Sequence, residues 1–505
     1  MRKWMLLTMA VSLSASLSAQ VEKDTNQKFK QDANKEFEEF MKQADKEFED
    51  FRTRANEEYA NFMEEAWAAF PVMPAEELPM RPKPVRPLEA EDAPVTNAEI
   101  YYEEVEGSYD WSSNWTPSAI LSEEANPIPS DRPNPVSPIL PVFETDATVQ
   151  NLFFYGSSFP FHVEREKPFK LKNVSEKTVA KQWKKMSTSY YSNIVGECLQ
   201  HRNERGLCDW AYIGFCQSVA EKYCGENTNE AVLLQMYILT QSGYQMRLAR
   251  VGEKLTLLFG STEKIFRYKY FLLDGLKFYI LDKSLENSSM NIFDRAFPNE
   301  KALSLAVTQP HFNLSKTKQR TLTSTKYPDV KITIETNRNL IDFYDDYPIS
   351  ANWVYYTKAS LSEVMKESLY PALRQAIKGK SERDAADIIL NLVQTGLAYK
   401  TDAEQFGYER PLYPDESLYY PYCDCEDRSI LFSCLIRELL GLDVVLLNYP
   451  EHITTAVHFN EDVKGDFLTI DGKTYVICEP TFIKGGSVGK SAKKYRDVKP
   501  VVIKI

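Results

Sequence analysis

Histidine, cysteine and glycine are all scarce in this chain: 5, 8 and 19 among 505 residues. So few cysteines exclude a small scaffold held together by disulfides. No paired C-x-x-C and no histidine cluster at zinc spacing occurs, so no metal site is expected. No glycine-rich phosphate loop is present, which argues against a nucleotide, and no cofactor is expected. Long apolar runs are also missing, so no transmembrane segment is expected. Positive charge is in deficit, with 60 Lys and Arg against 72 Asp and Glu, a net charge of −12. Phosphate binding needs basic grooves, so nucleic acid is excluded as a partner. What remains is ordinary for a globular protein: 43% apolar and 26% charged residues, in a chain long enough for two or three cores.

The first residues read as an export signal. Met1-Arg2-Lys3 precedes an apolar run from Trp4 to Leu17 and then Ser18-Ala19, the pattern of a secretory signal peptide over 1–19. The expected product is exported, periplasmic or extracellular. From Phe29 to Phe70 an eleven-residue period is plain. Ala33, Ala44, Ala55 and Ala66 recur, as do Phe29, Phe40, Phe51 and Phe62, and Phe37, Phe48, Tyr59 and Phe70. Eleven residues make three turns of about 3.67, which keeps an apolar stripe on one face of a long helix over 20–70. That segment carries 8 basic and 14 acidic residues, which disfavours an anionic membrane and favours self-association or docking on another protein. The alternative is that the stripe folds back onto the chain's own domains. Residues 71–142 hold 14 of the 27 prolines and read as an extended linker spacing the helix from the domains beyond it. Further on, Cys208, Cys216 and Cys224 share one apolar helical stretch and read as core residues.

Beyond the linker the chain repeats itself. Asn151-Leu152-Phe153-Phe154-Tyr155 resembles Asn339-Leu340-Ile341-Asp342-Phe343-Tyr344, and Ser175-Glu176 and Ser362-Glu363 each start a helix. The apolar helix Asn229 to Gly243 parallels Asp427 to Gly441, and each continues into a strand. Asp274-Gly275 to Asp282 parallels Asp471-Gly472 to Glu479, each entered through a hairpin-type Asp-Gly turn. Across the last three matches (the helix, the strand after it and the Asp-Gly hairpin) the offset stays near 197, which predicts two tandem α+β units, 143–320 and 321–505. By that offset Cys425 faces Asn227 and His458 faces Gly260 or Ser261, and only the acid survives, as Asp282. A fold that forms without the thiol and imidazole does not need them for packing.

Cys425 begins an apolar helix, where the dipole favours a thiolate. His458 comes later on a strand and Glu479 at the end of the next. That order assembles a nucleophile, a base and an orienting carboxylate. Cys423 ranks behind Cys425, and His452 reads as a loop or helper residue. Glu426 and Asp427 would oppose a nearby thiolate and are expected to point away, with Arg428 or His458 offsetting them.

Asp424-Cys425-Glu426-Asp427-Arg428-Ser429, Gly441-Leu442, Ala456-Val457-His458-Phe459 and Cys478-Glu479-Pro480-Thr481 together resemble the transglutaminase-like superfamily. The resemblance covers roughly 375–485 and, weakly, 180–285. It implies a papain-type core in each unit, the first degenerate, and a Cys425–His458–Glu479 triad acting on amides of a peptide or protein substrate. Glu479 stands where the family usually has Asp. The expected activity is a thiol-dependent amidase, peptidase or acyl transferase. The alternative is an inert envelope scaffold or protein-binding module assembled through the N-terminal helix.

Overall fold

The computed structural model describes residues 23–78, the pieces 132–135, 139 and 141, and most of 148–505, with short gaps at 164–167, 188–190, 308–311, 313–316, 351, 451, 493–494 and 496–497. The expected signal peptide and most of the expected linker lie outside the described residues.

The periodic segment is one helix, α1, only over Lys23–Met63; the expected helix to 70 stops there, and Ala66 and Phe70 lie outside it, on either side of a short strand at Ala68–Ala69. The C-terminal third of α1 does not stand apart. Ala55, Tyr59, Ala60 and Met63 are buried, and the Tyr59 ring packs 5.1 Å from Trp183, 4.9 Å from Phe293 and 5.2 Å from Phe297 between centroids. Asn56 accepts from Trp183 Nε1 at 2.9 Å and donates to Gln241 Oε1 at 3.1 Å. After the helix, β1 (Ala68–Ala69) joins the first sheet, Met73 bridges to Tyr270, and Glu76 pairs with Lys277 at 2.9 Å. The expected spacer therefore begins as a strap bound to the first unit. Its far end is bound there too, where Arg132 pairs with Asp209 at 3.1 Å. Phe40 and Phe48 remain exposed, so the stripe divides into a docked part and an open part.

Each unit has a helix feeding an antiparallel sheet. In the first, α2 (Asn229–Gln241) leads to β2 (Met246–Val251), β3 (Lys254–Ser261), β4 (Tyr270–Leu273), β5 (Leu276–Ile280) and β6 (Asn291–Phe293), in spatial order β1-β6-β2-β3-β5-β4. In the second, α3 (Cys425–Leu440) leads to β7 (Asp443–Tyr449), β8 (His452–His458), β9 (Phe467–Ile470), β10 (Lys473–Cys478) and β11 (Val501–Lys504), in order β11-β7-β8-β10-β9. Leaving β1 aside, the two orders coincide strand for strand. Asp274 and Asp471, at φ 50° and 49°, open the two equivalent hairpins, each followed by a glycine with positive φ, as a type I′ turn requires.

The registers fix the equivalences. Val251 pairs with Lys254 as Tyr449 pairs with His452, and Leu258 pairs with Ile280 as Ala456 pairs with Ile477. Lys254 thus stands where His452 does, and Asp282 where Glu479 does. One expected match fails. Asn151 to Phe154 is strand (Thr148–Phe154), whereas Asn339 to Tyr344 lies in a helix (Arg338–Asp345), because Asn337 caps that helix through the Asn339 N–H. The hairpin Thr148–Phe154/Ser157–Val163 has its counterpart in Thr317–Thr323/Lys331–Asn337 instead. The expected boundary at 320/321 cuts the strand Thr317–Thr323 and so falls within this second hairpin. Cys208, Cys216 and Cys224 are buried, the last two in the helix Asp209–Cys224 with Cys208 as its N-cap.

Candidate functional site

Cys425 opens α3, and its side chain is fully buried. It packs with Leu446, Ile453 and Ile503, so the helix start rests on the beginning of β8. Ser429, one turn on, donates to the Ile453 carbonyl at 3.2 Å. The thiol donates to Glu426 Oε2 at 2.9 Å. Glu426 therefore does not point away, contrary to the sequence expectation. The Arg428 guanidinium binds the carbonyls of Gln394 (3.2 Å) and Leu397 (2.7 Å). Cys423 is also buried, its thiol 3.9 Å from the Ala398 carbonyl.

His458 is not brought to Glu479. It ends β8, half-buried, with Nδ1 2.9 Å from the Thr474 carbonyl. The histidine beside Glu479 is His452, at the opposite end of the strand. Six residues of strand separate the two rings by roughly 20 Å. His452 Nε2 lies 2.8 Å from Glu479 Oε2, and each residue is 2% exposed. The other carboxylate oxygen, Oε1, accepts from the Thr481 N–H at 3.1 Å and from the Thr481 hydroxyl at 2.6 Å. The imidazole lies flat on Tyr495, 5.1 Å between centroids and 11° between planes. Burial pushes the Glu479 carboxyl up. The electrostatic interaction with His452 and the bonds from His452 and Thr481 outweigh it and bring the net value below the ordinary carboxylate range. His452 Nδ1, also buried, has no hydrogen-bond partner among the described residues. A buried ring nitrogen without a partner costs about 1–3 kcal/mol, a cost that packing alone does not explain.

The geometry therefore joins Glu479 to an imidazole, but to His452. The signal that could have found it was present. His452 begins a strand directly after a two-residue turn, the position Lys254 takes in the first unit, and a strand start lies nearer the helix N-terminus than a strand end. No hydrogen bond joins the Cys425 thiol to His452, and the two side chains sit in different packing groups, Cys425 with Ile453 and His452 with Tyr495.

Around the helix start lies a group of carboxylates that the sequence did not reveal. Asp402, Glu409, Asp424, Glu426 and Asp427 are all buried. Oxygens of Asp402, Asp424 and Asp427 lie within 4.8 Å of one another, as do those of Asp402, Glu409 and Glu426. Asp427 accepts from the Leu412 N–H at 2.8 Å and from the Asp424 N–H at 3.1 Å, while Asp424 Oδ1 has no partner among the described residues. Burial first, and then mutual repulsion, push Asp402, Asp424 and Asp427 well above the ordinary carboxylate range. Such a group must be neutralised by shared protons or by a cation, and all-oxygen donors at this spacing suit a hard divalent ion. The donors are scattered over 402–427, so no motif announces them.

The chain matches no protein-family model, no curated protein and no solved structure. The described residues are mixed α+β, and no helix among them is long and apolar enough to cross a membrane.

Proposed function

We propose that the second unit is a transglutaminase-like thiol amidase, peptidase or acyl transferase in which Cys425, His452 and Glu479 act together, with His452 in the place first given to His458. The observation that carries this reading is the buried His452–Glu479 pair, whose remaining ring nitrogen has no hydrogen-bond partner among the described residues. In that reading Cys425 turns about its Cα–Cβ bond from Glu426 to His452 Nδ1, which takes the thiol proton. The thiolate attacks an amide carbonyl and the amine leaves with the proton. Water then cleaves the thioester to an acid and restores the thiol, or a second amine cleaves it to a new amide. The expected export signal makes envelope or extracellular peptides the substrate class. The open part of α1 is then a region for self-association or docking.

A second reading is favoured by one observation: the thiol is fully buried and already bonded to Glu426. In it the protein is an inert envelope scaffold or binding module.

Iodoacetamide labelling of the folded chain at neutral pH, mapped by mass spectrometry, separates the two. The enzyme reading expects Cys425 to be labelled first among the eight cysteines, with a loss of about 100-fold or more in rate for His452→Ala. Labelling of Cys425 only after denaturation supports the inert reading and ends the catalytic one.

A further inference from the structure

The carboxylates around the start of α3 come from three separate stretches of backbone: a helical turn at Asp402–Gln405, the loop at 409–412 and the first turn of α3. Backbone N–H groups fix them there. Arg410 donates to Asp402 Oδ2 at 2.6 Å, Asp402 to Asp424 Oδ2 at 3.3 Å, and Leu412 to Asp427 Oδ1 at 2.8 Å. A carboxylate oxygen with one such bond keeps a second lone pair, so each of these groups can still bind a cation.

Positive charge is what the group lacks. Between 400 and 430 the basic residues are Lys400, Arg410 and Arg428. The Lys400 ammonium lies 4.2 Å from the centroid of the Tyr422 ring, Arg410 reaches Asp345 at 2.8 Å and Glu416 at 2.5 Å, and Arg428 binds backbone carbonyls. Asp402, Asp424 and Asp427 have no ion-pair partner among the described residues. Asp424 is 3% exposed, and its Oδ1 has no hydrogen-bond partner among them either. Its carboxylate faces into the group, lying within 4.8 Å both of Asp402 and Asp427 and of Glu426 and the Cys425 sulfur. A buried, ionised oxygen with no donor needs a cation beside it. Two oxygens on one Ca2+ stand at most about 5 Å apart, twice a bond of about 2.3–2.6 Å, and the three aspartates meet that limit. Mg2+ keeps several of its waters, and carboxylates only 0–3% exposed leave little room for them. Zn2+ would favour a site with the thiol, and these three donors are all oxygen.

We propose that Asp402, Asp424 and Asp427 bind one Ca2+ at the start of α3, with Glu409 and Glu426, both within 4.8 Å of Asp402, adding negative charge around it. The ion would tie the 402–412 segment to the helix that carries Cys425. The inference does not require Cys425 to be active, and its test involves no turnover.

The full chain, stripped with EDTA and dialysed, is titrated calorimetrically with Ca2+ at neutral pH. Binding of a single ion is expected, half-saturated below about 0.1 mM, with Mg2+ about tenfold weaker or more. Asp424→Asn and Asp402→Asn, on different segments, should each weaken Ca2+ about tenfold or more, the scale of losing one charged ligand. Urea unfolding separates lost binding from lost fold. Asparagine caps a helix as well as aspartate does, and the neutral amide relieves repulsion, so in EDTA D424N should unfold at the same or a higher urea concentration than the natural chain. Adding Ca2+ should raise the midpoint of the natural chain and leave that of D424N in place. No heat and no shift in midpoint at about 1 mM Ca2+ overturns the proposal and leaves the carboxyls sharing protons. Ca2+ binding that both variants retain, or Mg2+ binding of equal strength, overturns it too. Zn2+ binding more tightly than Ca2+, and lost in Cys425→Ser, would assign the ion to the thiol and overturn it as well.

Discussion

The start of β3 and the start of β8 occupy the same place in two sheets of one strand order, and the chain uses them differently. In the first unit the place holds Lys254 and Asp282, both exposed beside a cavity. In the second it holds His452 and Glu479, both 2% exposed, bonded to each other and covered by Tyr495. The backbone pairing is common to both, so the sheet demands neither arrangement. Burying an imidazole and a carboxylate is costly unless the two are paired, and one nitrogen is left over even so. The second unit bears a cost at this place that the first avoids, which is why the proposed chemistry is put there.

The largest test of this contrast is stability. Glu479→Ala removes one partner of a buried pair and leaves His452 and the Thr481 donors unmatched. It should cost about 3–5 kcal/mol in urea unfolding. Asp282→Ala, at the equivalent exposed place, should stay within about 0.5 kcal/mol. Equal costs would mean that the two junctions are not physically distinct.

The N-terminal helix offers a second contrast along its own length. Tyr59 packs on three aromatic rings, so Tyr59→Ala should cost about 3 kcal/mol. Phe48→Ala, one period earlier in the same stripe but 40% exposed, should cost under about 0.5 kcal/mol. A large loss at Phe48 in dilute monomer would show that the open part is already covered.

These two contrasts also mark what the residues disclosed in advance. The eleven-residue period gave α1, but periodicity says that a face is apolar without saying what meets it. Asn56, with bonds to Trp183 and Gln241, was the buried polar residue that tied the helix to the first unit, and nothing local marks it. The helix–strand and Asp-Gly matches were legible because turn chemistry and apolar runs are local. Asn151–Phe154 and Asn339–Tyr344 misled because similar apolar letters serve a strand and a helix alike, and the Asn337 cap decided between them. Cys425 and Glu479 were singled out from their positions at element ends. His458 was preferred to His452 because a histidine inside an apolar strand looks deliberate, whereas one after Pro450 looks like loop. Register, which is a long-range property, reversed that choice.

A third expectation concerns pH. Burial lifts Asp415 to about 6, and it lifts Glu416 to about 7 despite Arg410 beside it. Both lie above their ordinary values, so the folded chain holds protons that the unfolded chain releases. Their stabilisation is complete at low pH and is lost as pH rises through about 6 and then 7, on the order of 2–3 kcal/mol for each group. Glu479 runs the other way: its value is depressed, so its contribution is present above the ordinary carboxylate range and is lost as pH falls below it. Urea midpoints should therefore be higher at pH 5 than at pH 8, and Asp415→Asn should flatten part of that slope. A chain more stable at pH 8 would contradict the burial of these carboxyls.

The smallest expected effect is the most pointed one for the two histidines. His458 touches the Thr474 carbonyl and the edge of Tyr475, at 5.5 Å between centroids, and it is half-buried at the end of the strand far from Glu479. His458→Ala should cost under about 1 kcal/mol and change the labelling rate of Cys425 less than about twofold. His452→Ala, six residues away on the same strand, should abolish most of that labelling. If the effects were reversed, the proton acceptor would be the half-buried histidine and the His452–Glu479 pair would be structural. The unpartnered Nδ1 would then need another explanation, and the cost of burying it would fall on packing alone.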